Sequence, residues 1–146
     1  MKSREQIRNE ANARSKAFRE KGLCATCGEP ATHGVCCERH WNYFRDRNIK
    51  ERENIFNHYG WKCACCGESN PKFLTIDHID NNGAVHRATS FTNKNSKHVA
   101  GVIMYRWIRK HGYPDNFQTL CFNCNCGKQR NDGTCPHKTV FKTNNQ

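Results

Sequence analysis

The chain has 146 residues, 36% of them hydrophobic by a count that includes 11 cysteines, and a formal net charge of +11 from 24 Lys and Arg against 13 Asp and Glu. A chain this short holds one domain or two very small ones, and so thin an apolar core is marginal without staples. The N-terminal residues carry no apolar stretch of the kind that opens a secretory leader, and no run of about 18 apolar residues exists, so secretion and membrane insertion are not expected.

A cytoplasmic setting follows as the expectation. Cysteines there serve metals or catalysis more often than disulfides, a disulfide framework being the alternative for a secreted chain. The positive charge is spread over both halves and interleaves with aromatic residues. That favours a polyanionic partner, most simply nucleic acid, over charge kept for solubility alone.

In chain order, residues 2–21 are charged and free of Pro and Gly, which predicts an exposed helix marked only by Ile7, Ala11 and Phe18. Cys24, Cys27 and Gly28 follow, then a polar loop and Cys36, Cys37 and His40. Residues 38–59 again lack Pro and Gly and predict a second helix closed by Gly60, with Trp41, Phe44, Ile55, Phe56 and Tyr59 as its buried stripe. Arg45, Arg47, Lys50 and Arg52 lie between those marks, either tracking a DNA backbone or forming a solvated face.

Cys63, Cys66 and Gly67 open a second unit. Residues 73–77 predict a strand, 79–98 a long polar loop, 99–111 a helix stopped by Gly112 and Pro114, 117–120 a second strand, and 123–130 a short helix. The polar tail from Lys138 is expected to fray. Domains are expected at 1–60 and 61–146.

Zinc takes thiolates and imidazoles in a tetrahedron, and two Cys separated by two residues face one ion across a tight turn. Cys63, Cys66, Cys121 and Cys124 make a complete four-sulfur set for a structural zinc. Cys24, Cys27, Cys37 and His40 make a second set, in which Cys36 is an alternative to Cys37. A redox dithiol lacks the expected βαβ surroundings. Cys135 and His137 form a further weak pair, serving either as extra ligands or in local packing.

The segment Leu74-Thr75-Ile76-Asp77-His78-Ile79 and the segment running from Asn116 through Cys121, Cys124 and Asn125 to Lys128 together resemble the HNH endonucleases. Cys63, Cys66 and Gly67 ahead of them match the zinc-bearing branch of that family, found in phages and mobile elements. The resemblance covers roughly residues 61–131. It implies an α+β fold: a small zinc-stapled ββα-metal module with an N-terminal zinc finger and a connecting helix, and residues 79–115 inserted between the strands. Asn125 stands where the family's last His would be.

By that resemblance the chain is expected to hydrolyse DNA phosphodiesters. His78 would act as general base, Asp77 and Asn125 would hold one Mg²⁺ or Mn²⁺ by their oxygens, and Asn116 would orient His78. His86, Arg87, Arg106, Lys128 and Arg130 are candidate DNA contacts, and Arg109 and Lys110 share a helix with Arg106. The Tyr105 and Trp107 region is expected in the core rather than as a base-stacking platform. A monomer or homodimer is expected. Two alternatives stay open: a non-catalytic nucleic-acid-binding protein with two zincs, and a structure-selective resolvase related to endonuclease VII.

Overall fold

A computed structural model describes residues 1–91 and 101–138, which divide into two compact units, Met1–Lys50 and Glu51–Gln146. The expected tail 139–146, the end of the expected loop (92–98) and the first residues of the expected helix (99–100) lie outside the described residues.

In the first unit, Ser3 and Gln6 form a reciprocal capping box that starts α1 (Arg4–Glu20). No residue of α1 is buried, as its sparse apolar marks anticipate. Leu23 and Pro30 then bridge, as do His33 and Cys36, forming a small knot. The only buried residues in this unit are Cys24 and Cys37, so it holds no apolar core of its own.

The second long helix, α2 (Glu38–Tyr59), spans the boundary between the units. The division therefore falls inside α2 rather than at its end. The reason is packing: Ile55 and Phe56 are fully buried among residues of the second unit. Trp41, expected in the same buried stripe, is 44% exposed and stacks on His33. Gly60, at φ 94°, ends the helix by taking a conformation that side chains avoid.

The second unit is mixed α+β. A short 3-10 turn, Pro71–Phe73, leads into β1 (Leu74–His78), which pairs antiparallel with β2 (Phe117–Cys121). The register sets Asp77 opposite Gln118 and His78 opposite Phe117. Helix α5 (Phe122–Arg130) follows β2 directly, and the Cys121 sulfur accepts from the Cys124 amide at 3.4 Å to start it.

Between the strands lie α3 (Gly83–Ser90) and α4 (Val102–Lys110). Helix α3 corrects the expectation of a continuous loop from residue 79. Its N-cap residue, Asn82, makes no side-chain capping bond. Met104 and Ile108 of α4 pack with Ile55 and Phe117, while Phe56, Leu74 and Leu120 join the buried cysteines in a second cluster.

Candidate functional site

The two Cys-x-x-Cys-Gly-Glu segments fold alike. In the first, the Cys24 amide donates to the Glu29 carbonyl at 2.7 Å and the Gly28 amide to the Cys24 carbonyl at 2.9 Å. In the second, Cys63 and Glu68 are linked at 2.8 Å, and Gly67 and Cys63 at 3.0 Å. Both glycines have φ of 81°. The amide after each leading cysteine also reaches across to the other limb, Ala25 to Val35 and Ala64 to Thr119.

Each turn aims two sulfurs at a second pair of donors. The ligand atoms of Cys24, Cys27, Cys37 and His40 lie within 4.8 Å of one another, as do those of Cys63, Cys66, Cys121 and Cys124. A tetrahedral zinc with bonds near 2.3 Å to sulfur sets sulfur–sulfur edges of about 3.8 Å. The Cys27–Cys37 and Cys66–Cys121 sulfurs are each 3.7 Å apart. The His40 Nδ1 lies 3.6 Å from the Cys24 sulfur and 3.3 Å from that of Cys37. Cys37, not Cys36, completes the first set. All eleven cysteines are free thiols. These clusters can hold zinc.

The thiols respond to this crowding. Burial works to raise Cys24, but amides of Cys37, Thr26 and Cys27 outweigh it and bring it down to about 6. Cys63 likewise falls to about 6, against burial, through amides of Cys66, Cys121 and Cys65. Cys124 moves up, first because it is buried and then because sulfurs surround it. A third group, Cys65, Cys124, Cys135 and His137, has its ligand atoms within 4.8 Å and shares Cys124 with the second.

On the same module, a cleft of about 400 Å³ is lined by Asp77 and His78 from β1, Arg87 from α3, and Asn125 and Gln129 from α5. His78 Nε2 lies 2.7 Å from His86 Nδ1. Its Nδ1 faces Gly83, where a Cβ would stand 3.0 Å away, and the Arg87 guanidinium lies beyond. Burial, then the neighbouring His86, holds His78 below the usual histidine value. Burial does the same for His86, helped by His111 and Arg87.

Asp77 is 5% exposed, and its Oδ2 accepts from Gln118 at 2.9 Å and from Lys128 Nζ at 2.7 Å. Lys128 is equally buried and also donates to the His78 and Ile79 carbonyls at 2.5 and 2.9 Å. The Asn125 Oδ1 accepts from the exposed Gln129 amide at 3.2 Å.

Several expected roles change. Lys128 does not face phosphate, because the buried Asp77 carboxylate and two carbonyls take its ammonium protons. His86 is bonded to His78 rather than presented to solvent as a phosphate contact. The Asn116 side chain is exposed, and its main-chain carbonyl accepts from the Ile79 amide, beside His78, at 3.0 Å. Arg109 is engaged by Glu51 through two bonds of 2.9 and 3.0 Å. Arg52 donates to the Pro71 and Leu74 carbonyls.

Arg87 lines the cleft, Arg130 is exposed and Arg106 is half-buried. Tyr105 packs edge-on against Phe56, and Trp107 stacks on His111 and meets His86. No signal in the sequence pointed to His86 as the partner of His78, eight residues away. The cross-strand pairing of Asp77 with Gln118 was within reach of the strand register. No described helix is long and apolar enough to cross a membrane. Neither a protein-family model, nor a curated protein, nor a solved structure matches the chain.

Proposed function

We propose that the chain is a divalent-metal-dependent DNA endonuclease of the HNH type. The observation that carries this reading is His78: one ring nitrogen is bonded to His86, the other faces Gly83, and Asp77 and Asn125 line the same cleft. The net charge of +11 supports a polyanionic substrate.

In this reading His78 Nε2 donates to His86 Nδ1, which leaves the His78 Nδ1 lone pair free to take a proton from water. Its lowered pKa keeps the ring neutral, and therefore basic, at physiological pH. The fit to a hard cation rests on donor chemistry: Asp77 offers a carboxylate and Asn125 an amide oxygen, the ligand types that Mg²⁺ or Mn²⁺ prefers. When bound, such an ion would stabilise charge on a scissile phosphate and on the leaving 3′ oxygen. Asp77 keeps Oδ2 on Lys128 and Gln118, so the carboxylate would offer its other oxygen to the cation. The Asn125 Oδ1 accepts from the Gln129 amide and has a second lone pair that would face the cation. Arg87 supplies the positive charge beside the cleft. The products would carry 5′-phosphate and 3′-hydroxyl ends. The metal-stapled N-terminal unit, with Arg45, Arg47 and Lys50 exposed on α2, would add non-specific grip on the DNA backbone.

A second reading, a metal-stapled nucleic-acid-binding protein without catalysis, draws on the Lys128–Asp77 ion pair, which gives Asp77 a structural role of its own. Incubating supercoiled plasmid with the purified protein in Mg²⁺ or Mn²⁺ separates the two. Nicking abolished by EDTA supports the nuclease. Retarded but intact plasmid under every divalent metal supports the binding protein.

A further inference from the structure

Cys124 belongs to two ligand sets at once. Its sulfur is fully buried and sits in one set with Cys63, Cys66 and Cys121, and in another with Cys65, Cys135 and His137. In the second set, His137 Nδ1 lies 3.3 Å from the Cys124 sulfur and 3.7 Å from that of Cys135. Edges of this length are those of a tetrahedron around zinc, about 3.5 Å for sulfur–nitrogen pairs. Cys65, Cys124 and Cys135 are all free thiols, so none of them is tied up in a disulfide.

We propose that the second unit holds two metal ions, not one, with the Cys124 thiolate bridging them. The first ion takes Cys63, Cys66, Cys121 and Cys124; the second takes Cys65, Cys135, His137 and the same Cys124. Two tetrahedra sharing one corner need seven ligands, and the two sets supply seven residues with none left over. A thiolate has lone pairs for two cations, and Cys124 is the one sulfur placed among donors of both sets. Two dications also answer the charge problem of so many close sulfurs, since buried thiolates need cationic partners.

Local structure is shaped to bring the second set together. Cys65 lies inside the Cys63-to-Cys66 turn, yet its sulfur interacts with Cys135 and Cys124. Gly127 stands in α5 three residues after Cys124, where a Cβ would come within 3.0 Å of the Pro136 ring. A glycine inside a helix is unfavourable relative to alanine. Here it permits the segment carrying Cys135 and His137 to lie against the helix. The Cys135 side chain is itself buried, at 4% exposure, although the segment around it is polar.

The full-length protein loaded with ¹¹³Cd tests this without any substitution. The expected spectrum has two cadmium resonances that both correlate with the β-protons of Cys124, one also correlating with Cys66 and the other with Cys135. A spectrum in which every cysteine correlates with a single cadmium overturns the proposal. A second measurement is zinc content by mass spectrometry of the zinc-loaded protein. Cys135→Ser and His137→Ala should each lower it by about one equivalent per chain. Zinc content unchanged by both substitutions would overturn the proposal as well.

Discussion

His78 and His86 share a hydrogen bond of 2.7 Å between Nε2 and Nδ1, and this bond ties the end of β1 to α3. Two imidazoles so placed cannot both be charged without repulsion, and both are held below the usual value of 6.5, chiefly by burial. Unfolding returns both rings to water. Between their folded values and 6.5 the unfolded chain therefore binds more protons, so these two groups make stability rise with pH through that window and fall on acidification. Long-range ¹H–¹⁵N spectra should show both rings titrating below 6.5, and His78 as the Nε2–H tautomer above it. A His78 midpoint at or above 6.5, or the Nδ1–H tautomer, would remove the free lone pair that the proposed chemistry needs.

The Lys128–Asp77 ion pair is buried on both sides, at 6% and 5% side-chain exposure. Removing one member of a buried pair leaves an uncompensated charge and costs about 3 to 5 kcal/mol. Lys128→Met should therefore lower the urea midpoint by a corresponding amount at unchanged slope. An effect below about 1 kcal/mol would mean that the ammonium is solvated, as a phosphate-gripping lysine would be.

How much of this was legible depends on how local each signal is. The end of α2 coincides with the residue before Gly60, because glycine acts on the backbone directly. The ligand sets around Cys24 and Cys63 were readable because two-residue spacing is itself the geometry of the turn. Helix α3 was not, since its anchor, His86 on His78, is a tertiary contact. Lys128 carried a misleading signal: lysines are rarely buried, and only the fold reveals the carboxylate beneath it. The expected boundary between units falls after Gly60, where the predicted helix closes and Cys63 opens the next metal knot. The last turns of α2 nonetheless bury Ile55 and Phe56 in the second unit.

Because Cys24 and Cys37 are the only buried residues of the first unit, that unit would depend on an ion held by its Cys/His cluster more than the second, which also buries Ile108, Phe117 and Leu120. A metal site that supplies a unit's entire interior couples binding to folding. Graded chelation followed by ¹H–¹⁵N spectra should collapse resonances of the loop around Cys24 and His40 to unfolded positions. First-unit resonances that stay dispersed in the zinc-free protein would contradict this.

Gly28 and Gly67 share a φ of 81° but differ in surroundings. Alanine at either position strains the left-handed backbone by about 1 kcal/mol. At Gly28 the new Cβ would also meet the Phe18 ring at 2.9 Å, whereas at Gly67 it would meet only the flexible end of Lys62 at 3.3 Å. Zinc transfer to a chromogenic chelator should be faster for Gly28→Ala than for Gly67→Ala. Equal rates would show that the Phe18 contact does not support the turn.

The most direct test of the proposed nuclease is conversion of supercoiled plasmid to nicked circles in Mg²⁺ or Mn²⁺ by the wild-type protein and by His78→Ala, each carrying its full complement of zinc. Loss of a general base lowers such rates by about 10² to 10⁴. The account predicts nicking by the wild type and a loss of that size in His78→Ala, with DNA retardation retained. A wild type that leaves plasmid intact under every divalent metal, or a His78→Ala variant that nicks at the wild-type rate, would contradict it.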